Sequence, residues 1–201
     1  PFSVPLIGRH NAENALVALA MLTLAGLTLE DALTGLREAP SAPGRLELVP
    51  GERRVLVDYA HSPDALENVL GALKPLVSGR IICVFGAGGD RDPGKRPEMG
   101  AVVSRMADYA MVTSDNPRSE DPRSIVNAIV TGMSDETPRQ VVVDRREAIR
   151  RAIDLAREDD LVLLAGKGHE TTQEIAGVKH TFDDRVEAER ALNALRSEEV
   201  S

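Results

Sequence analysis

From Arg45 onward, short apolar runs alternate with longer stretches of helical pattern, and this alternation limits the possible folds more than any other feature. Residues 45–49 and 53–60 read as two strands joined by the turn Pro50-Gly51-Glu52; residues 80–85, 109–113, 140–143 and 161–165 read as four more. The helices between them carry start signals. Ser62 precedes Pro63 at a first helical position and predicts a helix to about Lys74. Another is expected near 97–106, one from Asp121-Pro122 to about Met133, and one from Asp144, with Glu147 three positions on, to about Arg157. A short strand or hairpin over 174–181 follows, and Asp184 with Glu187 is expected to cap a last helix. Such an order predicts an α/β fold: a mostly parallel sheet flanked by helices.

The opening segment differs. Residues 11–25 are nearly all Ala, Leu, Val and Met, so they predict a helix buried on most sides, with Gly26 at its C-terminal cap. Thr28 and Asp31 form a capping pair for a short helix that ends before Pro40. The loop Ser41-Ala42-Pro43-Gly44 is the expected boundary, giving domains 1–42 and 43–201.

Composition narrows the function classes. The net charge is −8 and the only aromatics are two Tyr and three Phe, which argues against a nucleic-acid surface built from basic patches and stacking rings. The longest apolar stretch, 15–22, is too short to span a bilayer, and no signal-type leader opens the sequence, so no membrane partner and a cytoplasmic location are expected. The single Cys83 allows no internal disulfide and sits in an apolar run as packed core; His10, His61, His169 and His180 show no metal-ligand spacing.

In parallel α/β sheets ligands bind beyond the carboxyl ends of the strands, and four loops there hold most of the unusual polar chemistry. Asp58-Tyr59-Ala60-His61-Ser62-Pro63 enters a helix whose free N–H groups favour an anion; Ser62 and Asp64 acting simply as caps is the alternative. Gly86-Ala87-Gly88-Gly89-Asp90-Arg91-Asp92 is a poor match to a dinucleotide glycine loop, and the sequence has no phosphate loop of its own. It leads to Arg91, Lys95 and Arg96, three cations suited to carboxylate or phosphate, or else an ordinary solvated loop. Ser114-Asp115-Asn116-Pro117-Arg118 combines groups for an ammonium and a carboxylate, though it is also strong turn chemistry. In Gly166-Lys167-Gly168-His169-Glu170 the glycines permit close backbone approach and Glu170 suits a second ammonium. Together they point to a small ligand bearing both carboxylate and ammonium groups.

These motifs, with Gly8-Arg9-His10-Asn11-Ala12-Glu13-Asn14, Pro43-Gly44-Arg45-Leu46-Glu47 and Asp58-Tyr59-Ala60-His61-Ser62-Pro63-Asp64-Ala65-Leu66, resemble the Mur ligase family, ATP-dependent amide-forming enzymes of peptidoglycan precursor synthesis. The runs 84–92, 115–118 and 166–170 are most similar to the branch that adds meso-diaminopimelate to a UDP-muramoyl dipeptide. The resemblance implies a Rossmann-like C-terminal domain over 43–201, preceded by a helical remnant of a central ATP-binding domain. It implies ATP contacts at Asn11, Asn14, Arg45, Asp58 and His61. An amino-acid pocket is implied from Arg91, Asp115, Asn116, Pro117, Arg118, Gly166 and Glu170, with Arg118 pairing with the distal carboxylate that lysine lacks. The phosphate loop and the ligands of Mg2+ are expected in a part of the family enzyme that this sequence does not match. No catalytic base or metal ligand is assigned here, the sequence alone is expected to be inactive, and the full-length enzyme is expected to be a monomer. Thr172 stands where relatives often carry an aromatic, and Ala87 where they often carry Cys. A lysine-adding ligase and a non-catalytic amino-acid-binding module are the alternatives.

Overall fold

The computed structural model describes residues 8–39 and 42–199, in two compact units, Pro1–Ala42 and Pro43–Ser201. Ser41, part of the expected boundary loop, and Pro40 before it lie outside the described residues.

The first unit is a helix pair, α1 (Arg9–Leu24) and α2 (Leu29–Glu38). Gly26, at φ 99°, takes the left-handed turn after α1. Thr28 caps α2 as expected: its Oγ1 accepts from the Asp31 amide at 3.1 Å and donates to Asp31 Oδ2 at 2.7 Å. The expectation that α1 is buried on most sides is not met. Ala15 is buried, but Leu16, Val17, Met21 and Leu24 are exposed, because one short partner helix cannot cover an apolar helix all round.

The second unit holds a six-stranded sheet in the order β1-β2-β6-β3-β4-β5. Its strands are β1 (Glu47–Val49), β2 (Arg54–Asp58), β3 (Ile81–Phe85), β4 (Tyr109–Val112), β5 (Arg139–Val141) and β6 (Leu161–Ala165). Only β1 runs antiparallel to its neighbour. The intervening helices are α3 (Pro63–Leu73), α4 (Lys95–Met106), α5 (Pro122–Val130) and α6 (Arg145–Leu155). A separate hairpin, β7 (Thr172–Ile175) and β8 (Val178–Thr181), precedes α7 (Asp184–Glu199).

Right-handed crossovers put helices on one face while the chain steps outward from β2 through β3 and β4 to β5, and on the other once it turns back to β6. Accordingly α3 packs on α4 and α4 on α5, whereas α6 packs on α7. The central strands β3 and β6 are apolar and buried along their whole length because both faces are covered, whereas the edge strands β1 and β5 carry polar and exposed residues. Val55, Val57, Ile82, Val84, Val162 and Leu164 join one core with Ala148, Ile149, Ala152 and Ile153 of α6. Alternation turns Leu56, Ile81, Cys83, Phe85 and Leu163, all equally buried, to the opposite face. Burial pushes the Cys83 thiol up to about 12, so it is packed core, as its apolar run implied.

Helix starts follow the start signals at three places. Ser62, Asp121 and Asp144 each accept amide hydrogens from the first turn of α3, α5 and α6. One alternative and one expectation fail. Arg96 is not part of a solvated loop but lies in the first turn of α4, 5% exposed. Asp184 does not cap α7: Asp183 Oδ1 accepts from the Arg185 amide at 2.9 Å, while Asp184 is fully buried against Arg145.

Candidate functional site

β6 sends its chain to the face opposite that used by its neighbours β2 and β3, which opens a crevice at the carboxyl edge of the sheet. The register aligns the strand ends, with Asp58 opposite Ala165 and Phe85 opposite Val112, so the loops that follow meet at one level. They surround a cleft of about 560 Å³. Arg91, Asp115, Asn116, Arg118, Gly166 and Glu170 all line it, as does His61. Arg118 and Glu170 therefore share one cavity.

The cationic wall is fixed by a clasp between the glycine-rich loop and the loop after β4. Gly89 N donates to Asn116 O at 2.9 Å, and Arg118 Nη1 donates back to Gly89 O. Asp90 accepts from Ser119 N at 3.2 Å and Ser119 Oγ at 2.6 Å. Glu120 Oε1 accepts from Asp90 N at 2.6 Å and from Arg96 Nη2 at 2.7 Å, and the Arg96 guanidinium holds the Glu120 carboxyl below its usual range. Position 89 must be glycine, since a Cβ there would stand 1.9 Å from the Pro117 carbonyl oxygen. Arg118 itself has φ 51°, a left-handed conformation uncommon outside glycine; its N–H donates to Glu174 O at 2.9 Å, which holds it there. Pro117 lines not this cleft but a neighbouring cavity of about 660 Å³.

Acids form the other wall. Asp115 is 6% exposed, and its Oδ1 is buried without a hydrogen-bond donor. Burial drives its pKa up; the Arg145 and Lys167 cations pull it back only in part, and Glu170 and Asp184 add to the rise. Gly166, at φ 120°, lets the backbone pass beside it: a Cβ would lie 3.0 Å from Asp115 Oδ2. Glu170 is partly exposed, and its Oε2 accepts from Asn116 Nδ2 at 2.8 Å.

Two buried cations that the sequence reading did not single out organise this wall. Lys167 has no exposed surface, and its Nζ lies 2.6 Å from Thr172 O, 3.2 Å from Asn116 Oδ1 and 3.3 Å from Glu170 Oε2. Arg145 grips Asp184 with two bonds, Nε to Oδ1 at 2.8 Å and Nη2 to Oδ2 at 2.6 Å, and Nη2 also donates to Ala165 O at 3.0 Å. Burial alone would lower the Arg145 pKa, but the Asp184 carboxylate outweighs it and holds it above its ordinary value. No local pattern marks either residue. Lys167 is set apart only by its place between two glycines at a strand end, which permits close backbone packing but does not by itself predict a buried charge.

Tyr59, which also lines the cleft, carries a small cluster. Its ring meets His61 edge-on at 4.6 Å and His169 at 5.5 Å, and the Arg45 guanidinium lies 4.9 Å from its centroid. Arg45 and Asp58 do not line the cleft. Asp58 serves the backbone: Oδ2 accepts from Leu46 N at 2.9 Å and Oδ1 from Ala60 N at 2.8 Å. Asn11 and Asn14 belong to the first unit, where Asn14 Nδ2 donates to Asn11 Oδ1 at 3.3 Å.

The mostly parallel α/β sheet thus carries cations and acids facing each other across one cleft at its carboxyl edge. The chain belongs to the Mur ligase family: residues 44–168 match the family model described as Mur ligase, glutamate ligase domain. It is 50% identical over 192 residues to the UDP-N-acetylmuramoyl-L-alanyl-D-glutamate–2,6-diaminopimelate ligase of Thermosynechococcus vestitus. It is 51% identical over 193 residues to the enzyme of the same name from Chromobacterium violaceum. Each match covers 94% of this chain but 39% of the relative, so the chain spans about two fifths of their length. A solved structure of a ligase of that name superposes with a TM-score of 0.77 at 43% identity, over 97% of this chain and 40% of that one. The UDP-N-acetylmuramate-alanine ligase of Thermotoga maritima shares the fold, with a TM-score of 0.67 at 19% identity over 98% of this chain and 40% of that one.

Proposed function

We propose that this chain is the carboxyl-terminal part of an ATP-dependent ligase that joins meso-diaminopimelate to UDP-N-acetylmuramoyl-L-alanyl-D-glutamate. One observation carries the reading: Arg118, Asp115, Asn116 and Glu170, drawn from two separate loops, line a single cleft. Diaminopimelate has an ammonium and a carboxylate at each end. In this reading Arg118 and Arg91 take carboxylates, Asp115 and Glu170 take ammonium groups, and Asn116 supports the acid wall. Pro117 sets the backbone that presents Arg118, and Gly166 leaves Asp115 room. The identity to diaminopimelate-adding ligases supports the same ligand.

The reaction transfers the γ-phosphate of ATP to the side-chain carboxylate of D-glutamate, giving an acyl phosphate and ADP. The amino group of diaminopimelate attacks the acyl carbon, a tetrahedral intermediate forms, and inorganic phosphate leaves as the amide closes. The amine loses a proton, for which we assign no base in this chain. The domain's contribution is orientation, an effect that reaches roughly 7–11 kcal/mol in favourable cases. Covering the acyl phosphate also keeps water from it.

For ATP we assign Arg45, Asp58 and His61 in this domain, and Asn11 and Asn14 in residues 1–42, read as the end of the central ATP-binding domain. Asp58 fits that role by shaping the strand end, since its oxygens already hold the Leu46 and Ala60 amides. Magnesium would neutralise the nucleotide phosphates. Among the described residues no cluster of three or more His, Cys, Asp or Glu could hold a metal ion, so no ligand is assigned here and no step runs through it. The reading places the enzyme in the cytoplasm as a monomer with small-molecule partners only. Among the described residues no helix is long and apolar enough to cross a membrane.

The test is turnover by the full-length enzyme with ATP, the UDP-muramoyl dipeptide and meso-diaminopimelate, read as phosphate release and as product mass. Amide product dependent on all three is expected; ATP hydrolysis without amide, or amide formed equally well from amino acids lacking the distal carboxylate, contradicts the assignment.

A further inference from the structure

Lys167 is a fully buried ammonium directly beneath the acid wall of the cleft, and it is no part of the ligand-lining set. An ammonium has three hydrogens to donate. Here there are three acceptors in reach: Thr172 O, Asn116 Oδ1 and Glu170 Oε2. The fourth neighbour, Asp115 Oδ1, lies 3.6 Å away and is left with the charge of Lys167 but none of its hydrogens.

Each of these contacts has a consequence for the cleft. Asn116 Oδ1 accepts from Lys167 and also from Glu174 N at 3.1 Å, so its amide has one orientation, with Nδ2 directed at Glu170 Oε2. Glu170 Oε2 is then held from two sides, by Lys167 and Asn116, and its other oxygen remains for a ligand. The bond to Thr172 O ties the same ammonium to the start of β7, whose Glu174 carbonyl holds Arg118 in its left-handed conformation. One buried charge thus braces both the acid wall and the segment that supports the cationic wall.

We propose that Lys167 is a positioning residue for the amino-acid cleft: its three hydrogens lock Asn116 and Glu170, and its charge keeps Asp115 available to a ligand ammonium while leaving Oδ1 undonated. The proposal deepens the amino-acid reading above and rests on it. Asp115 is faced by Arg145, Lys167, Glu170 and Asp184. Loss of the Lys167 charge leaves Arg145 as the only cation among these four, so Asp115 ionises at higher pH. A purely structural role has the opposite sign, because a loosened loop admits water and lowers the Asp115 pKa.

The experiment uses Lys167→Met and Lys167→Gln in the full-length enzyme, with KM and kcat for meso-diaminopimelate and ATP and a pH profile of kcat/KM. Lys167→Gln retains N–H donors without charge, so it serves if the Met variant does not fold. The expected result is a rise in the diaminopimelate KM of about ten- to a hundredfold, the scale of a lost charge-assisted hydrogen bond. The ATP KM stays within about twofold, and the acid limb for diaminopimelate moves to higher pH. Equal rises in both KM values, an unchanged diaminopimelate KM, or an acid limb that stays or moves to lower pH overturns the proposal. If the unaltered enzyme does not use diaminopimelate at all, the amino-acid reading fails; if it does and the variants match it, only the role of Lys167 fails.

Discussion

Arg145 and Asp184 meet with no solvent-exposed side-chain surface on either, Nη2 2.6 Å from Oδ2, and join the start of α6 to the start of α7. The same guanidinium reaches Ala165 O at the end of β6. A charge pair this dry is costly to assemble, and its geometry offsets that cost only while both partners remain.

Removing one partner strands the other. Asp184→Asn leaves a buried guanidinium without its counter-charge and is expected to destabilise the fold by about 3–5 kcal/mol, seen as a lower denaturation midpoint in urea. A loss below about 1 kcal/mol, the scale of an exposed pair, contradicts this account.

If Asp115 receives a ligand ammonium, as proposed, it is expected to set the pH dependence of binding. Burial raises its pKa, so it is neutral below a midpoint that lies above the usual carboxylate range, and only the ionised form pairs with an ammonium. Diaminopimelate affinity should therefore rise with pH through that midpoint. Asp115→Asn should weaken binding and remove this limb from a calorimetric pH series; a limb that survives the substitution assigns it to another group.

Far from the cleft, Asp160 closes the opposite end of the sheet. It accepts from Arg80 N at 2.7 Å, Arg80 Nη2 at 2.6 Å and Arg157 N at 3.0 Å. Burial alone would raise its pKa, but these donors outweigh that and hold it at about 2, against an ordinary 3.8. A depressed carboxyl pKa stabilises the fold above the unfolded value, and the gain fades as pH falls from about 4 to about 2. Asp160→Asn should lower Tm at pH 7 and flatten the loss of Tm across that acid window, while the diaminopimelate KM stays unchanged.

The clasp makes a sharper prediction. Gly89→Ala drives a Cβ into the Pro117 carbonyl, which stands 1.9 Å from that position, so the two loops must part. Arg118 loses its anchor on Gly89 O, and the diaminopimelate KM should rise well above any change in the ATP KM; equal changes in both contradict the link between clasp and pocket.

Much of this was legible in the chain. Strand positions followed from apolar runs, and Ser62, Asp121 and Asp144 declared their helices because a cap acts on its own first turn. The motif loops were legible because parallel topology alone sends them to one edge. What stayed hidden was the set of long-range pairings. Arg145 stands beside another arginine in a helix start, and nothing local separates the buried one from the exposed one; its partner is 39 residues away. Asp183 and Asp184 are equally good caps by type, and only the demand of Arg145 decides between them. Lys167 was missed for a related reason: Glu170 and Thr172 lie within five residues of it, but the Asn116 acceptor that completes its burial comes from another loop.

Arg118 and Glu170 are proposed to read the two ends of one ligand across a shared cleft, and the competition between two amino acids isolates that role. It is tested most directly by offering the full-length enzyme meso-diaminopimelate and L-lysine together and measuring both amide products, with and without Arg118→Ala. The expected result is a strong preference for diaminopimelate that falls by about ten- to a hundredfold in the variant, the worth of a lost charged hydrogen bond. Equal use of both amino acids by the unaltered enzyme, or a preference that Arg118→Ala leaves intact, contradicts it.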